Sequence, residues 1–241
     1  MLRILLVSNS TQHGQRYLEH CSTEVAQHFG GVGSGTEVLF IPYALADHDS
    51  YASTARQAFE AMGLRLRSLH EVDDPRAAVD AAAGFFTGGG NTFRLLRRLQ
   101  ADGLIEPIRS RVRAGAPYLG TSAGSNIACP TIRTTNDMPI VEPESFDALG
   151  LVPFQLNPHY LDPAPGSQHM GETREQRIRE FHEESEMPVL GLREGGMLKV
   201  EGSGMTLLGP PSLRLFRRGV DPVEYGTGAD LSFLLGEVVQ A

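Results

Sequence analysis

The sequence predicts an α/β fold: a mostly parallel sheet flanked by helices, followed by a small C-terminal β-meander. Three observations predict it. Short, continuous apolar runs recur through the first half, as expected of strands buried on both faces. Segments with helical spacing separate these runs and the connections are short, which is how parallel strands are linked. From Val189 onward, short strands between glycine turns replace that alternation.

Leu2 to Val7 is an apolar run broken only by Arg3, and reads as the first strand. A polar loop, Ser8-Asn9-Ser10-Thr11, precedes a helix over Tyr17–Phe29 and a flexible connection over Gly30–Gly35. Glu37–Ile41 is the second strand, closed by Pro42; a helix over Tyr51–Met62 leads to a third strand at Leu64–Leu69. Asp74-Pro75 opens the next helix, with proline at the first helical position where its missing N–H costs nothing, and the helix runs toward Gly84. Phe85-Phe86-Thr87 is a short strand ending in Gly88-Gly89-Gly90-Asn91. Thr92–Gln100 and Ile105–Ala114 are helical, before a strand at Tyr118.

The second half is less regular. Thr131–Pro143 is polar and too long for a mere connector. A strand at Leu151–Leu156 ends in Asn157-Pro158-His159-Tyr160, Asp162–Gly171 is a Pro/Gly-rich mobile loop, and a helix begins near Thr173. Val189–Leu192, Met197–Val200, Met205–Leu208 and Leu213–Phe216 form the expected meander, packed on the same unit, so residues 1–241 read as a single α/β domain.

A net charge of −8 argues against a general nucleic-acid or anionic-membrane surface, and no apolar run reaches spanning length. The first apolar run meets Ser8-Asn9-Ser10 too soon for a signal peptide. Cys21 and Cys129 have no paired spacing, which fits a reducing, cytoplasmic setting and supplies no metal cluster. Gly88-Gly-Gly-Asn91 lacks the Lys-Ser/Thr of a phosphate loop and the spacing of a dinucleotide fingerprint, so no cofactor is expected.

The stretch around which the chain is organised is Gly120-Thr121-Ser122-Ala123-Gly124, after an apolar strand and before a small-residue helix. Gly-x-Ser-x-Gly is the pattern of a nucleophile elbow, which lifts a hydroxyl above the sheet. The five residues also occur in plain turns; their place at a strand end, beside a second glycine turn on the same rim, favours a site. A serine hydroxyl needs a base, and the base an orienting carboxylate. His159 differs from the other seven histidines because it follows a strand and a proline. Glu194 precedes Gly195-Gly196 at another strand end. Alone, His159 would be a rim residue and Glu194 a solvated turn residue. The order Ser, His, Glu is unlike the α/β-hydrolases and resembles class I glutamine amidotransferase-like domains, whose nucleophile is a cysteine. The Ala123 N–H and the Gly88–Gly90 turn can supply oxyanion donors. Thr173 and Gln176 make a capping box that leaves Arg174 first in its helix. Position alone leaves open whether Arg174 is a surface residue or faces an anionic ligand.

Together, Gly88-Gly-Gly-Asn-Thr-Phe93, Ser122-Ala-Gly124, Thr131-Ile-Arg-Thr-Thr-Asn-Asp-Met-Pro-Ile-Val141, Asn157-Pro-His159 and Gly171-Glu-Thr-Arg-Glu-Gln-Arg177 resemble the S51 serine peptidases, the peptidase E or α-aspartyl dipeptidase family. The resemblance covers nearly the whole chain. It implies hydrolysis of dipeptides with an N-terminal aspartate, through a Ser-His-Glu triad and an acyl-enzyme, on a class I glutamine amidotransferase-like fold. By position it makes Ser122 the nucleophile, His159 the base and then acid, and Glu194 the residue orienting it. Gly90 and Ala123 match the oxyanion hole, Arg174 the arginine on the aspartyl side chain, and Asn91 a substrate-lining residue. Thr121 departs from the family, where a bulkier aromatic can precede the serine, and the Asp162–Gly171 loop differs in length. The implied partner is a small dipeptide, not nucleic acid or membrane, with a homodimer left open. Two rivals remain: a cyanophycinase-like peptidase cutting β-aspartyl-arginine, and a binding domain of the same fold without chemistry.

Overall fold

In the computed structural model, which describes residues 1–31, 35–162, 171–210 and 212–236, the apolar runs form strands buried on both faces, except that the edge strand at Arg65–Ser68 buries only one. β1 (Arg3–Val7), β2 (Glu37–Ile41), β3 (Arg65–Ser68), β4 (Phe85–Thr87) and β5 (Tyr118–Thr121) are parallel, in the order β3-β2-β4-β5-β1. Side chains alternate across the sheet, so one strand feeds two cores. Ile4 and Leu6 enter one cluster, Leu5 and Val7 the other. On the Leu5 side pack α1 (Ser22–His28) and α2 (His48–Ala61), through Val25, Ala52, Ala55 and Phe59. On the Ile4 side pack α3 (Pro75–Ala81), α4 (Thr92–Ala101) and α5 (Ile105–Arg113), through Val79, Leu95, Leu99, Ile108 and Val112.

Local signals set several helix starts. Asp74 accepts the Ala77 N–H ahead of Pro75, as its sequence predicts, and Asp47 caps α2 by accepting from Ser50. The helix expected from Tyr17 starts later. Leu18 takes a left-handed φ of 58° and a single 3-10 turn at Glu19–Cys21 intervenes, which leaves Tyr17 on a loop. The strand expected at Leu151–Leu156 is shifted: β6 is Gln155–Pro158, while Leu151 and Val152 are buried from a loop whose N–H groups bond the 128–129 carbonyls.

The C-terminal β-meander needs correction. β7 (Val189–Leu192), β8 (Met197–Glu201), β9 (Gly204–Leu208) and β10 (Leu213–Phe216) form near the expected positions, but they divide between two sheets. β8 pairs antiparallel with β1 and with β9, extending the main sheet to seven strands. β7 lies between β6, to which it is parallel, and β10, which also pairs with β11 (Val223–Tyr225), in a second sheet. The open edge at β1, left by the parallel strands, takes up the β8–β9 hairpin instead of leaving four strands to pair in sequence. Residues 131–143 contain no regular strand or helix, as expected. Residues 32–34 and 163–170, within two expected loops, lie outside the described residues. Among the described residues no helix is long and apolar enough to cross a membrane. Cys21 and Cys129 are both buried free thiols, and burial pushes each thiol pKa up.

Candidate active site

The site sits at the carboxyl ends of β1, β4, β5, β6 and β7. β5 runs between β4 and β1, so the residue after it is flanked by the turns that leave those two strands. That residue is Ser122, held at φ 51° and ψ −111°, a conformation that costs a side-chain-bearing residue energy and persists only where its surroundings impose it. Its N–H bonds the Val7 carbonyl at 3.0 Å, and its carbonyl accepts the Ser125 and Asn126 N–H groups to start α6 (Ala123–Asn126). The flanking glycines are required by close approach: a Cβ on Gly120 would lie 2.4 Å from the Gly124 oxygen, and one on Gly124 2.0 Å from the Thr87 oxygen.

His159 follows Pro158 at the end of β6 and also has a positive φ, 53°. Its Nε2 is 2.9 Å from Ser122 Oγ and its Nδ1 is 2.7 Å from Glu194 Oε1. The carboxylate accepts, so Nδ1 carries a proton, and in the neutral ring Nε2 is free to accept from the hydroxyl. The polar turn after β1 unites the two sheets. Ser8 Oγ accepts the His159 N–H at 2.9 Å and donates to the Leu192 carbonyl at 2.8 Å, while Asn9 Oδ1 accepts the Gly195 N–H at 2.8 Å. Arg193, beside Glu194, is fixed by paired bonds to Asp162 and Glu224, which raise its pKa further and lower theirs.

Two cavities meet at Ser122 and His159. One, of about 370 Å³, is lined by Ala123, Asn126, Asp137, Arg174 and Glu194 as well as these two. The other, of about 710 Å³, opens over Ser10, Tyr17, Leu45, Tyr51 and Gly90. Thr173 and Gln176 form the expected capping box at the start of α7 (Arg174–Glu184), and this fixes where Arg174 leaves the helix.

The sequence profile of peptidase family S51 matches residues 4–208. A peptidase E of Streptomyces coelicolor is 56% identical over 234 residues, 97% of this chain and 95% of that one. A Drosophila melanogaster protein named Probable alpha-aspartyl dipeptidase is 48% identical, over 96% of this chain and 97% of its own. The crystal structure of a peptidase from an acI-B1 Actinobacterium shares the fold, with a TM-score of 0.71 at 15% identity and 97% coverage of both chains. The chain belongs to peptidase family S51. It is a serine-type hydrolase.

In this S51 chain the geometry brings together most of the residues singled out from sequence. Ser122, His159 and Glu194 form a continuous hydrogen-bonded line, and Arg174 and Ala123 line the cavity beside it. Arg174 is half-buried and has no hydrogen-bonded acceptor among the described residues. Burial pulls its guanidinium pKa below the ordinary value, nearby Arg177 adds to this, and the Asp137 carboxylate opposes it. A cation so placed gains most from an arriving anion. Asn91 has both ends occupied: Oδ1 caps α4 by accepting the Arg94 N–H, and Nδ2 donates to the Met138 carbonyl.

Sequence reasoning missed Asp137, Ser8, Asn9 and Tyr51. Asp137 accepts from Thr92 N and Oγ1 at 2.7 and 2.6 Å, which turns the long polar segment into a wall of the smaller cavity. Its signal was the Thr-Thr-Asn-Asp run inside that segment. Ser8 and Asn9 announce themselves only as polar residues at the carboxyl end of a buried strand. Among the described residues no group of three or more His, Cys, Asp or Glu side chains is placed to hold a metal ion.

Proposed function

We propose that this chain is a dipeptidase that cleaves after an N-terminal aspartate, with Ser122 as nucleophile, His159 as base and then acid, and Glu194 as the group that orients His159. His159 Nε2 takes the hydroxyl proton as Ser122 Oγ attacks the aspartyl carbonyl. The developing oxyanion is met by the N–H groups of Gly90 and Ala123, which have no acceptor among the described residues. Collapse breaks the C–N bond as His159 gives its proton to the leaving amine, and water then releases aspartate by the same steps in reverse.

The observation that carries the specificity is Arg174, a half-buried cation with no hydrogen-bonded acceptor among the described residues, lining the same cavity as Ser122. A guanidinium binds a carboxylate through two parallel bonds, so the side chain of the first residue is read as an acid. Asp137, which lines the same cavity, is the acceptor for the free α-ammonium that an N-terminal residue carries. Asn91 supports the substrate side by holding the segment that presents Asp137. The leaving residue occupies the larger cavity. Two buried free thiols fit work in the cytoplasm.

The test is turnover across X-Leu dipeptides with varied first residue, together with β-aspartyl-arginine, for the wild-type chain and Ser122→Ala. The reading expects Asp-Leu to be cut far faster than Ala-Leu or Glu-Leu, and Ser122→Ala to be folded and inactive. Equal rates for Ala-Leu and Asp-Leu would remove Arg174 from its role, and near-normal turnover by Ser122→Ala would remove the nucleophile.

A further inference from the structure

We infer that Tyr51 is a positioning residue for the oxyanion hole, setting the direction of the Gly90 N–H by holding the other end of the same peptide unit. The Tyr51 hydroxyl donates to the Gly89 carbonyl at 3.0 Å. In a trans peptide the C=O of one residue and the N–H of the next point opposite ways, so a donor fixed on Gly89 O fixes Gly90 N–H on the far side. A glycine pair would otherwise let that peptide rotate, because neither residue has a Cβ to restrict it.

The flanks of the turn are already tied. Gly88 N bonds the Ile41 carbonyl at 3.2 Å and Asn91 N the Ala44 carbonyl at 2.9 Å. Between them, Gly89–Gly90 is the peptide whose orientation the backbone ladder leaves free, and Tyr51 supplies the missing restraint. Gly88 is shaped to admit it: a Cβ there would stand 2.2 Å from the Tyr51 oxygen. The ring is locked edge-on against Phe40, with centroids 5.0 Å apart, so the hydroxyl has little freedom of its own. Tyr17 OH donates to Tyr51 OH at 3.1 Å, which satisfies the acceptor side of Tyr51 and directs its proton to Gly89. Burial pushes the Tyr51 phenol up to about 12, so the proton it donates is present at any working pH.

This inference rests on Ser122 being the nucleophile, and the experiment separates the two. Tyr51→Phe keeps the ring and deletes the bond. Its kcat for Asp-Leu is expected to fall about ten- to hundredfold with KM within twofold, part of the loss from deleting an oxyanion donor outright. Affinity for the boronic acid analogue of aspartate, whose serine adduct carries a tetrahedral oxyanion, is expected to fall by the same factor. Binding of intact Asp-Leu, measured by calorimetry on Ser122→Ala with and without Tyr51→Phe, stays within twofold. Tyr17→Phe costs less than Tyr51→Phe. Wild-type kcat and boronate affinity in Tyr51→Phe would overturn the inference, as would an equal loss of Asp-Leu binding, the mark of a merely structural role. Boronate affinity that survives Ser122→Ala would overturn the nucleophile itself, and Tyr51's role with it.

Discussion

The Ser8 hydroxyl accepts the backbone N–H of His159 at 2.9 Å while giving its own proton to the Leu192 carbonyl at 2.8 Å. One buried side chain thus fixes the height of the imidazole and joins the end of β1 to the sheet that carries His159. Ser8→Ala leaves the His159 N–H unpaired and takes from the Leu192 carbonyl one of two donors, the Tyr160 N–H remaining at 3.1 Å. An unpaired buried donor costs about 1–3 kcal/mol. The expected outcome is a lower urea midpoint with an unchanged slope, and a kcat reduced about tenfold or more because a small displacement of the base is amplified in the rate. An unaltered kcat would show that His159 holds its place without Ser8.

Glu194 acts from a wetter position. Its side chain is 49% exposed and that of His159 39%, so water screens much of the charge that passes between them. Glu194→Gln can still present an oxygen to Nδ1, and so keeps the tautomer while losing the charge. The expected loss in kcat is about tenfold, well short of the about 10⁴-fold typical of buried triad carboxylates. A loss near 10⁴ would mean that the pair is dry during turnover, and the difference is read directly from kcat for Asp-Leu.

Four of the parallel strands were legible because a strand buried on both faces is an apolar run whatever its neighbours are. β3, at the sheet edge, was legible because its leucines and arginines alternate between buried and exposed. Partner choice was not, since Met197–Glu201 could serve equally well in a meander, and only the open edge of β1 decides its place. The site shows the same division. Ser122, His159 and Glu194 each sit within two residues of a glycine or proline that shapes the local turn, and the sequence displays those neighbours. Ser8, Asn9 and Tyr51 work by bonding backbone groups of distant segments, at separations of 38 to 186 residues, and leave no local pattern. Asp137 was hidden for a related reason: it faces the cavity because Thr92, 45 residues earlier, holds it there.

The elbow makes a prediction about stability. At Gly124 an added Cβ would meet the oxygen and the carbonyl carbon of Thr87 at 2.0 and 2.7 Å, both backbone atoms of β4 that no rotamer change can move. Gly124→Ala is therefore expected to lower stability by about 1–3 kcal/mol and to disturb Ser122, with activity lost alongside. Gly226→Ala, where nothing lies within 4 Å, serves as the control and should be close to neutral. Equal denaturation midpoints for the two variants would show that β4 yields more easily than its hydrogen bonds indicate.

Acid sensitivity should trace in part to His28, far from the chemistry. This side chain is 3% exposed, and its Nε2 stands 3.1 Å from the Tyr118 carbonyl, so it is the neutral ring that donates there. Burial, reinforced by the Arg3 cation, pushes its pKa down to about 3. In the unfolded chain a histidine titrates near 6.5. Below that pH the unfolded state takes up a proton that the native state refuses, so the stability His28 provides is complete above about 6.5 and is lost as pH falls toward 3. The steepest slope for one such group is about 1.4 kcal/mol per pH unit. His28→Gln keeps an N–H for Tyr118 and cannot take up a proton. Urea unfolding between pH 4.5 and 8 should therefore give curves offset by a constant above pH 7 that converge as the wild type weakens in acid. Parallel lines across the whole range would assign the acid loss to other groups.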